Sequence, residues 1–269
     1  MARYDFSAPR LYVEAPLCAG ARVALAPGQV NYLRNALRLR DGDETLAFNG
    51  ADGEWRTRLA AEGRRGAALE ALERLRAQPA APSLHYLFAP LKHARLDYMV
   101  QKAVEMGAGG LRPVLTRRTQ AERVNLERMK ANAVEAAEQC GVLSIPEIAP
   151  PRRLGDVLSD WPPDRLLVFC DEDADAHDAA GALRAAARRL AGAEGARERA
   201  SGEVPKLAVL IGPEGGFADE ERAALLALPQ AVRISLGPRV LRADTAAVAA
   251  LALTQATLGD WGAGGPPGA

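Results

Sequence analysis

Two glycine-proline loops hold the residues of this chain best suited to chemistry. Gly212-Pro213-Glu214-Gly215-Gly216-Phe217 follows the apolar run Leu207–Ile211, and Gly237-Pro238-Arg239-Val240-Leu241-Arg242 follows Val232–Leu236. Glycine leaves backbone N–H and C=O groups open to a ligand, because no side chain stands in the way. The first loop has neither the GK[ST] ending of a P-loop nor GxGxxG spacing, and Glu214 would repel a phosphate. Such groups suit a flat, mostly uncharged ring and a ligand whose reactive centre is cationic. No Cys-His or Ser-His-Asp set accompanies these motifs, so nothing here points to a covalent nucleophile.

The elements that must position the loops follow from the same stretch. Short apolar runs bounded by Gly and Pro predict buried strands ending in tight turns. A helical pattern follows each loop, so strand, loop and helix occur twice, with both loops at the carboxyl edge of one α/β sheet, where open sheets bind ligands. Asp244 or Thr245 is expected to cap the second helix. The run Ala246–Leu253 is built of small residues that allow another helix or backbone to come close.

Upstream, residues 1–76 read as a β-rich domain. Asn49-Gly50 and Asp52-Gly53 between Glu44–Phe48 and Glu54–Leu59 predict a hairpin. Val30, Leu33 and Leu37 fall at helical spacing beside Arg34, Arg38 and Arg40. That face either holds phosphate or is simply solvated. Gln78–Pro82 reads as a linker, His85–Ala89 and Gly110–Leu115 as strands, and Ala94–Met106 as a helix stopped by Gly107. Arg112, Arg117, Arg118, Arg123, Arg128 and Lys130 face only Glu122 and Glu127 locally, which marks an RNA-facing patch. Asn125–Cys140 reads as a long amphipathic helix and Leu166–Phe169 as a strand ahead of the acidic loop Asp171–Asp175. Residues 179–203 read as a low-complexity helix plus exposed linker, and 262–269 as a disordered tail.

Bulk properties narrow the class further. Net charge is zero, yet residues 1–155 carry 23 Lys and Arg against 17 Asp and Glu, while the remainder carries 11 against 17. A basic front half suits a polyanion, although ordinary surface charge gives the same count. Three widely spaced cysteines argue against a disulfide framework or zinc site, and the three histidines lack metal-ligand spacing, so no metal is expected. The first residues lack a signal peptide's apolar stretch, and the longest apolar run is too short to span a bilayer. A cytoplasmic protein with no membrane association is expected.

GPEGGF followed by LGPRVLRADTAA resembles the paired signature of the RsmE family of 16S rRNA uridine N3-methyltransferases, within the SPOUT methyltransferases. The resemblance extends to Gln101–Gly107, to Glu135–Gly141 with Pro146-Glu147-Ile148 after it, and to Leu258–Gly262, in order along nearly the whole chain. It implies a PUA-like β-barrel domain over 1–76, an α/β SPOUT methyltransferase domain with a deep trefoil knot over 83–261, S-adenosyl-L-methionine as methyl donor, and a homodimer acting on 16S rRNA of the small ribosomal subunit. A knot breaks the usual rule of chain topology and could not have been read from the pattern of elements. Alternatives within reach are a SPOUT methyltransferase acting on another RNA and a non-catalytic ribosome-assembly factor. Val142 stands where the family often has a basic residue.

The resemblance places Ile211, Gly212, Gly216, Leu236, Gly237, Leu241 and Thr245 at the cofactor pocket. For catalysis it leaves Arg242, with Arg239 beside it, to stabilise charge on the uracil oxygens, and Glu214 or Asp244 to accept the N3 proton. Alternatively, Arg242 and Glu214 pair across the two loops and hold the knot. Arg10, Arg34, Arg38, Arg117 and Arg118 are the expected RNA phosphate contacts.

Overall fold

The computed structural model describes residues 8–64, 66–92, 94–120, 123–174, 178–198 and 205–262. The far end of the linker expected within 179–203 and the tail from residue 263 on lie outside them. The backbone forms two compact units. One comprises the described residues up to Ala81 with Ala137–Ile145, the other the described residues of 82–136 and 146–262.

The first unit is a five-stranded sheet in the order β1-β3-β4-β5-β2, built from β1 (Arg10–Tyr12), β2 (Arg22–Ala24), β3 (Glu44–Phe48), β4 (Glu54–Glu62) and β5 (Gly66–Arg76). β1 runs parallel to β3 and the other pairs are antiparallel. The Asn-Gly and Asp-Gly pairs make the β3–β4 hairpin, where Asn49 Oδ1 accepts from the N–H groups of Ala51 and Asp52 at 3.0 and 2.8 Å. Alternation puts Leu11, Val23, Leu59 and Leu69 on the buried face, packed with Leu33.

Two expectations for this unit change. The helix expected over 30–40 is α1 (Pro27–Asn31) continued by a π-helical turn over Tyr32–Ala36, and Arg38 then takes φ 61°. The wider turn and the left-handed residue rotate the chain, so Arg34, Arg38 and Arg40 do not share one helix face, and Arg34 pairs with Asp41. Arg10 is not a surface phosphate contact. Its side chain is 4% exposed and bonds the buried Glu54 carboxylate at 2.7 Å and the carbonyls of Ala137 and Glu138. Arg76 bonds the other oxygen of Glu54 at 2.7 Å and the carbonyl of Gly141. The guanidinium of Arg10 is therefore committed to a buried charge that needs it.

The second unit is a parallel sheet in the order β12-β10-β11-β6-β7-β8, with β9 paired to β7. Its strands are β6 (His85–Phe88), β7 (Gly110–Leu115), β8 (Glu147–Ile148), β9 (Arg152–Arg153), β10 (Arg165–Cys170), β11 (Lys206–Ile211) and β12 (Ala231–Ile234). The helices are α2 (Ala94–Glu105), α3 (Leu126–Cys140, passing into the first unit), α4 (Leu154–Ser159), α5 (Ala179–Glu198), α6 (Asp219–Ala227) and α7 (Ala243–Leu258). Leu166–Phe169 and Leu207–Ile211 are buried along their whole length, as a sheet covered on both faces requires. α7 packs on α2, α5 and β11. Its Ala247 and Ala250 are buried beside Leu251, and their small side chains let neighbouring backbones close in. Gln255 at its far end donates to the carbonyl of Met106 at 2.8 Å.

β6 carries a titrating group. Burial, then the charges of Arg165 and Arg112, hold the His85 imidazole at about 4, below its ordinary 6.5. The folded state thus prefers the neutral ring, while the unfolded chain takes up a proton as pH falls through 6.5, so stability is lost between pH 6.5 and 4. With solvent screening at a half-buried ring the loss is ~1–2 kcal/mol. Thermal unfolding followed from pH 7 to 4.5 should show it, and His85→Gln should flatten that dependence.

Candidate active site

The site grows from three strands that end side by side. β10 lies between β11 and β12, with Val168 opposite both Val209 and Val232, so the loops leaving all three open at one carboxyl edge. Between them is a cleft of about 260 Å3.

The loop after β11 forms one wall through Ile211, Gly212, Pro213, Glu214, Gly216 and Phe217. Its turn is closed by Gly216 N–H donating to the carbonyl of Pro213 at 2.9 Å, and Gly216 sits at φ 69°, a conformation that favours glycine. Gly212 lies against the ring of Phe217, which is buried and meets Phe169 edge-on with centroids 6.2 Å apart. Phe217 thereby pins the loop to the core.

The loop after β12 supplies the second wall with Ser235, Leu236, Gly237, Pro238, Arg239, Val240 and Leu241, continued by Ala243 and Ala246 of α7. The third wall, Cys170–Glu172 and Ala174 after β10, was read from sequence only as an acidic loop. Asp171 anchors it. This buried carboxylate accepts from Arg222 Nε at 2.9 Å and Nη2 at 3.2 Å, and from Arg233 at 3.5 Å. The hydrogen bond to Asp171 holds the Arg222 guanidinium above its ordinary pKa. Burial, then the Asp171 charge, pushes the Cys170 thiol up to about 12, so it is neutral near pH 7 and no nucleophile.

The expected pocket residues divide accordingly. Ile211, Gly212, Gly216, Leu236, Gly237 and Leu241 line the cleft, whereas Thr245 is exposed and outside its wall. Glu214 and Arg239 line it; Arg242 and Asp244 do not. Arg242 is itself the N-cap residue of α7, so Asp244 and Thr245 fall in the first helical turn rather than capping it. There Asp244 complements the positive end of the helix. Glu214 and Arg242 do not pair across the loops: Glu214 pairs with Arg95, and Arg242 is exposed with no ion-pair partner among the described residues.

A second cleft, of about 360 Å3, meets the first at Pro213 and Glu214. Lys92, Arg95, Arg118 and Gln120 give it a cationic wall. Arg118 donates from Nη1 to the carbonyl of Gly215 at 2.6 Å. The rest of the basic run around it is largely committed. Arg112 makes a bidentate pair with Glu147 at 2.7 and 2.8 Å, Arg117 reaches Glu220 at 3.2 Å, and Arg128 holds Asp97 at 2.9 and 2.6 Å. Counting only neighbours in sequence missed these carboxylates, and it missed Lys92 and Arg95 as parts of a site.

The parallel sheet, with a ligand cleft where three of its loops meet, and the separate sheet ahead of it match known families in the same order. Residues 78–255 match the family model described as RNA methyltransferase domain, and residues 25–72 that described as RNA methyltransferase PUA domain. These define an RNA methyltransferase of the SPOUT fold behind a PUA domain. The ribosomal RNA small subunit methyltransferase E of Synechocystis sp. is 31% identical over 93% of this chain and 78% of its own length, and that of Rickettsia conorii 28% identical over 90% and 93%. The chain belongs to the ribosomal RNA small subunit methyltransferase E family. Among solved structures, the ribosomal RNA small subunit methyltransferase E of Neisseria gonorrhoeae, bound to S-adenosyl methionine, superposes with a TM-score of 0.76 at 24% identity, covering 94% of this chain and 99% of that one. At that identity the likeness speaks for the fold.

Proposed function

We propose that the protein transfers a methyl group from S-adenosyl-L-methionine to N3 of a specific uridine in 16S rRNA of the small ribosomal subunit, as a cytoplasmic homodimer. The observation that carries this reading is Glu214, which with Pro213 is the wall shared by the two clefts. A carboxylate between a cofactor cleft and a cationic cleft suits a reaction in which a base must lose a proton where the methyl group arrives.

The residues of the first cleft fit the cofactor. Gly212, Gly216 and Gly237 leave backbone groups open, Ile211, Leu236 and Leu241 give apolar surface for a flat purine, and Glu172 brings negative charge toward a cation. A Cβ on Gly212 would leave no room for the loop as it stands, since it would lie 2.8 Å from the ring of Phe217. S-adenosylmethionine supplies an electrophilic methyl group on a sulfonium centre.

The chain's own residues must do the rest. Uridine N3 carries a weakly acidic proton, and its lone pair is available only as that proton leaves. Glu214 is the proposed acceptor, favoured over Asp244 because it lines both clefts. Arg242, next in sequence to Leu241 and Ala243 of the wall, stabilises the negative charge that grows on the uracil oxygens. Arg34, Arg38, Arg117 and Arg118 contribute affinity for the RNA backbone.

Incubation of small ribosomal subunits and of tRNA with labelled donor, followed by mapping of the modified base, tests the reading. Label at N3 of one uridine in 16S rRNA is the expected result. Label on tRNA alone would sink the substrate assignment, and calorimetry showing no binding of the donor would leave an assembly factor.

A further inference from the structure

The second cleft is more than an approach to the first. Its cations come from separate segments: Lys92 ahead of α2, Arg95 in the first turn of α2, and Arg118 after β7. Arg95 stands where a helix favours negative charge, and the electrostatic cost of a cation there is recovered when an anion sits between the two. Lys92 is exposed and has no ion-pair partner among the described residues. Arg118 donates to the carbonyl of Gly215 at 2.6 Å, which holds its guanidinium beside the loop. In this structure the anion that meets the cluster is Glu214, paired with Arg95 and about half exposed. An exposed pair of this kind contributes little and is readily exchanged.

We propose that Lys92, Arg95 and Arg118 form a subsite for a backbone phosphate of the RNA strand beside the target nucleotide, and that the phosphate displaces Glu214 from Arg95. The inference rests on the methyltransferase reading above and adds a switch to it. With RNA absent, Glu214 is occupied by Arg95; with RNA bound, Arg95 turns to the phosphate and the carboxylate is released toward the base. The cluster thus couples strand binding to the availability of the proton acceptor.

The test compares wild type with Lys92→Ala/Arg95→Ala/Arg118→Ala and with Arg95→Lys. Three quantities are measured: donor affinity by calorimetry, affinity for small subunits in the presence of S-adenosylhomocysteine, and the salt dependence of that affinity. The triple variant should keep donor affinity within about threefold, bind subunits at least tenfold more weakly, and show a salt slope shallower by about 0.7 for each phosphate it no longer neutralises. Arg95→Lys, which keeps the charge, should recover most of the binding. Glu214→Gln should bind subunits several-fold more tightly, because Arg95 is no longer shared. Unchanged subunit affinity and salt slope in the triple variant would overturn the subsite. So would a loss of donor affinity as large as the loss of RNA affinity, since the residues would then act through the fold of the first cleft. Failure of the wild type to methylate would remove the catalytic reading alone, because the binding arm still decides the subsite.

Discussion

Glu214→Gln is expected to lower the turnover of methyl transfer by ~10^2–10^4-fold, the span over which a positioned proton acceptor contributes, with donor affinity unchanged within a few-fold. The substitution keeps the shape of the side chain and its place between the clefts while removing the charge that attracts the N3 proton. Turnover and apparent affinity should move in opposite directions: kcat falls, and KM for small subunits falls with it as Arg95 becomes available to phosphate. A residue that merely held the loop would give a different pattern, because loosening the Gly212–Phe217 turn would weaken donor binding as well. Single-turnover measurements with saturating donor separate the two cases. Wild-type turnover in Glu214→Gln would assign the proton elsewhere, and Asp244, in the first turn of α7, would be the next carboxylate to replace.

How much of this was legible in the sequence depends on whether the signal was local. The strand ending at Ile211, the strand expected over Val232–Leu236 and found over Ala231–Ile234, the hairpin between Phe48 and Glu54, and the strand Gly110–Leu115 show because apolar periodicity and turn residues act over a few positions. Six of the seven expected pocket residues line the cleft, since both loops carry their glycines and apolar residues in one stretch. The third wall did not show. Cys170–Ala174 follows an ordinary apolar strand, and only the sheet order, with β10 between β11 and β12, brings it to the same edge. The charges were misread for a related reason. Arg10 looked like a surface cation near the start of the chain, but its partner Glu54 is 44 positions away and buried. Arg112, Arg117 and Arg128 looked like a patch opposed only by Glu122 and Glu127, yet Glu147, Glu220 and Asp97 reach them through the fold. Lys92 and Arg95 gave the reverse error, being unremarkable until the fold set them in one cleft with Arg118. An ion pair has no sequence period, so charge counting along a chain reports composition and not commitment.

Gly212→Ala is expected to weaken donor binding by about ten- to a hundredfold and lower the unfolding temperature by several degrees. An alanine Cβ would stand 2.8, 3.0 and 3.2 Å from three atoms of the Phe217 ring, closer than carbon atoms pack. The ring cannot swing aside, because it is 2% exposed and held against Phe169. The loop backbone must therefore move, and with it the open groups that line the cleft. Overpacking of this kind costs ~1–3 kcal/mol of stability, and every 1.4 kcal/mol taken from binding weakens it about tenfold. Adding Phe217→Leu to Gly212→Ala supplies the control: the smaller side chain gives the new methyl group room, so donor affinity should return in part while the core, having lost a ring, stays less stable. Calorimetry and thermal unfolding on the two variants read both quantities. If Gly212→Ala binds donor as the wild type does, the close contact with Phe217 does not set the shape of the cleft, and backbone recognition by this loop fails with it.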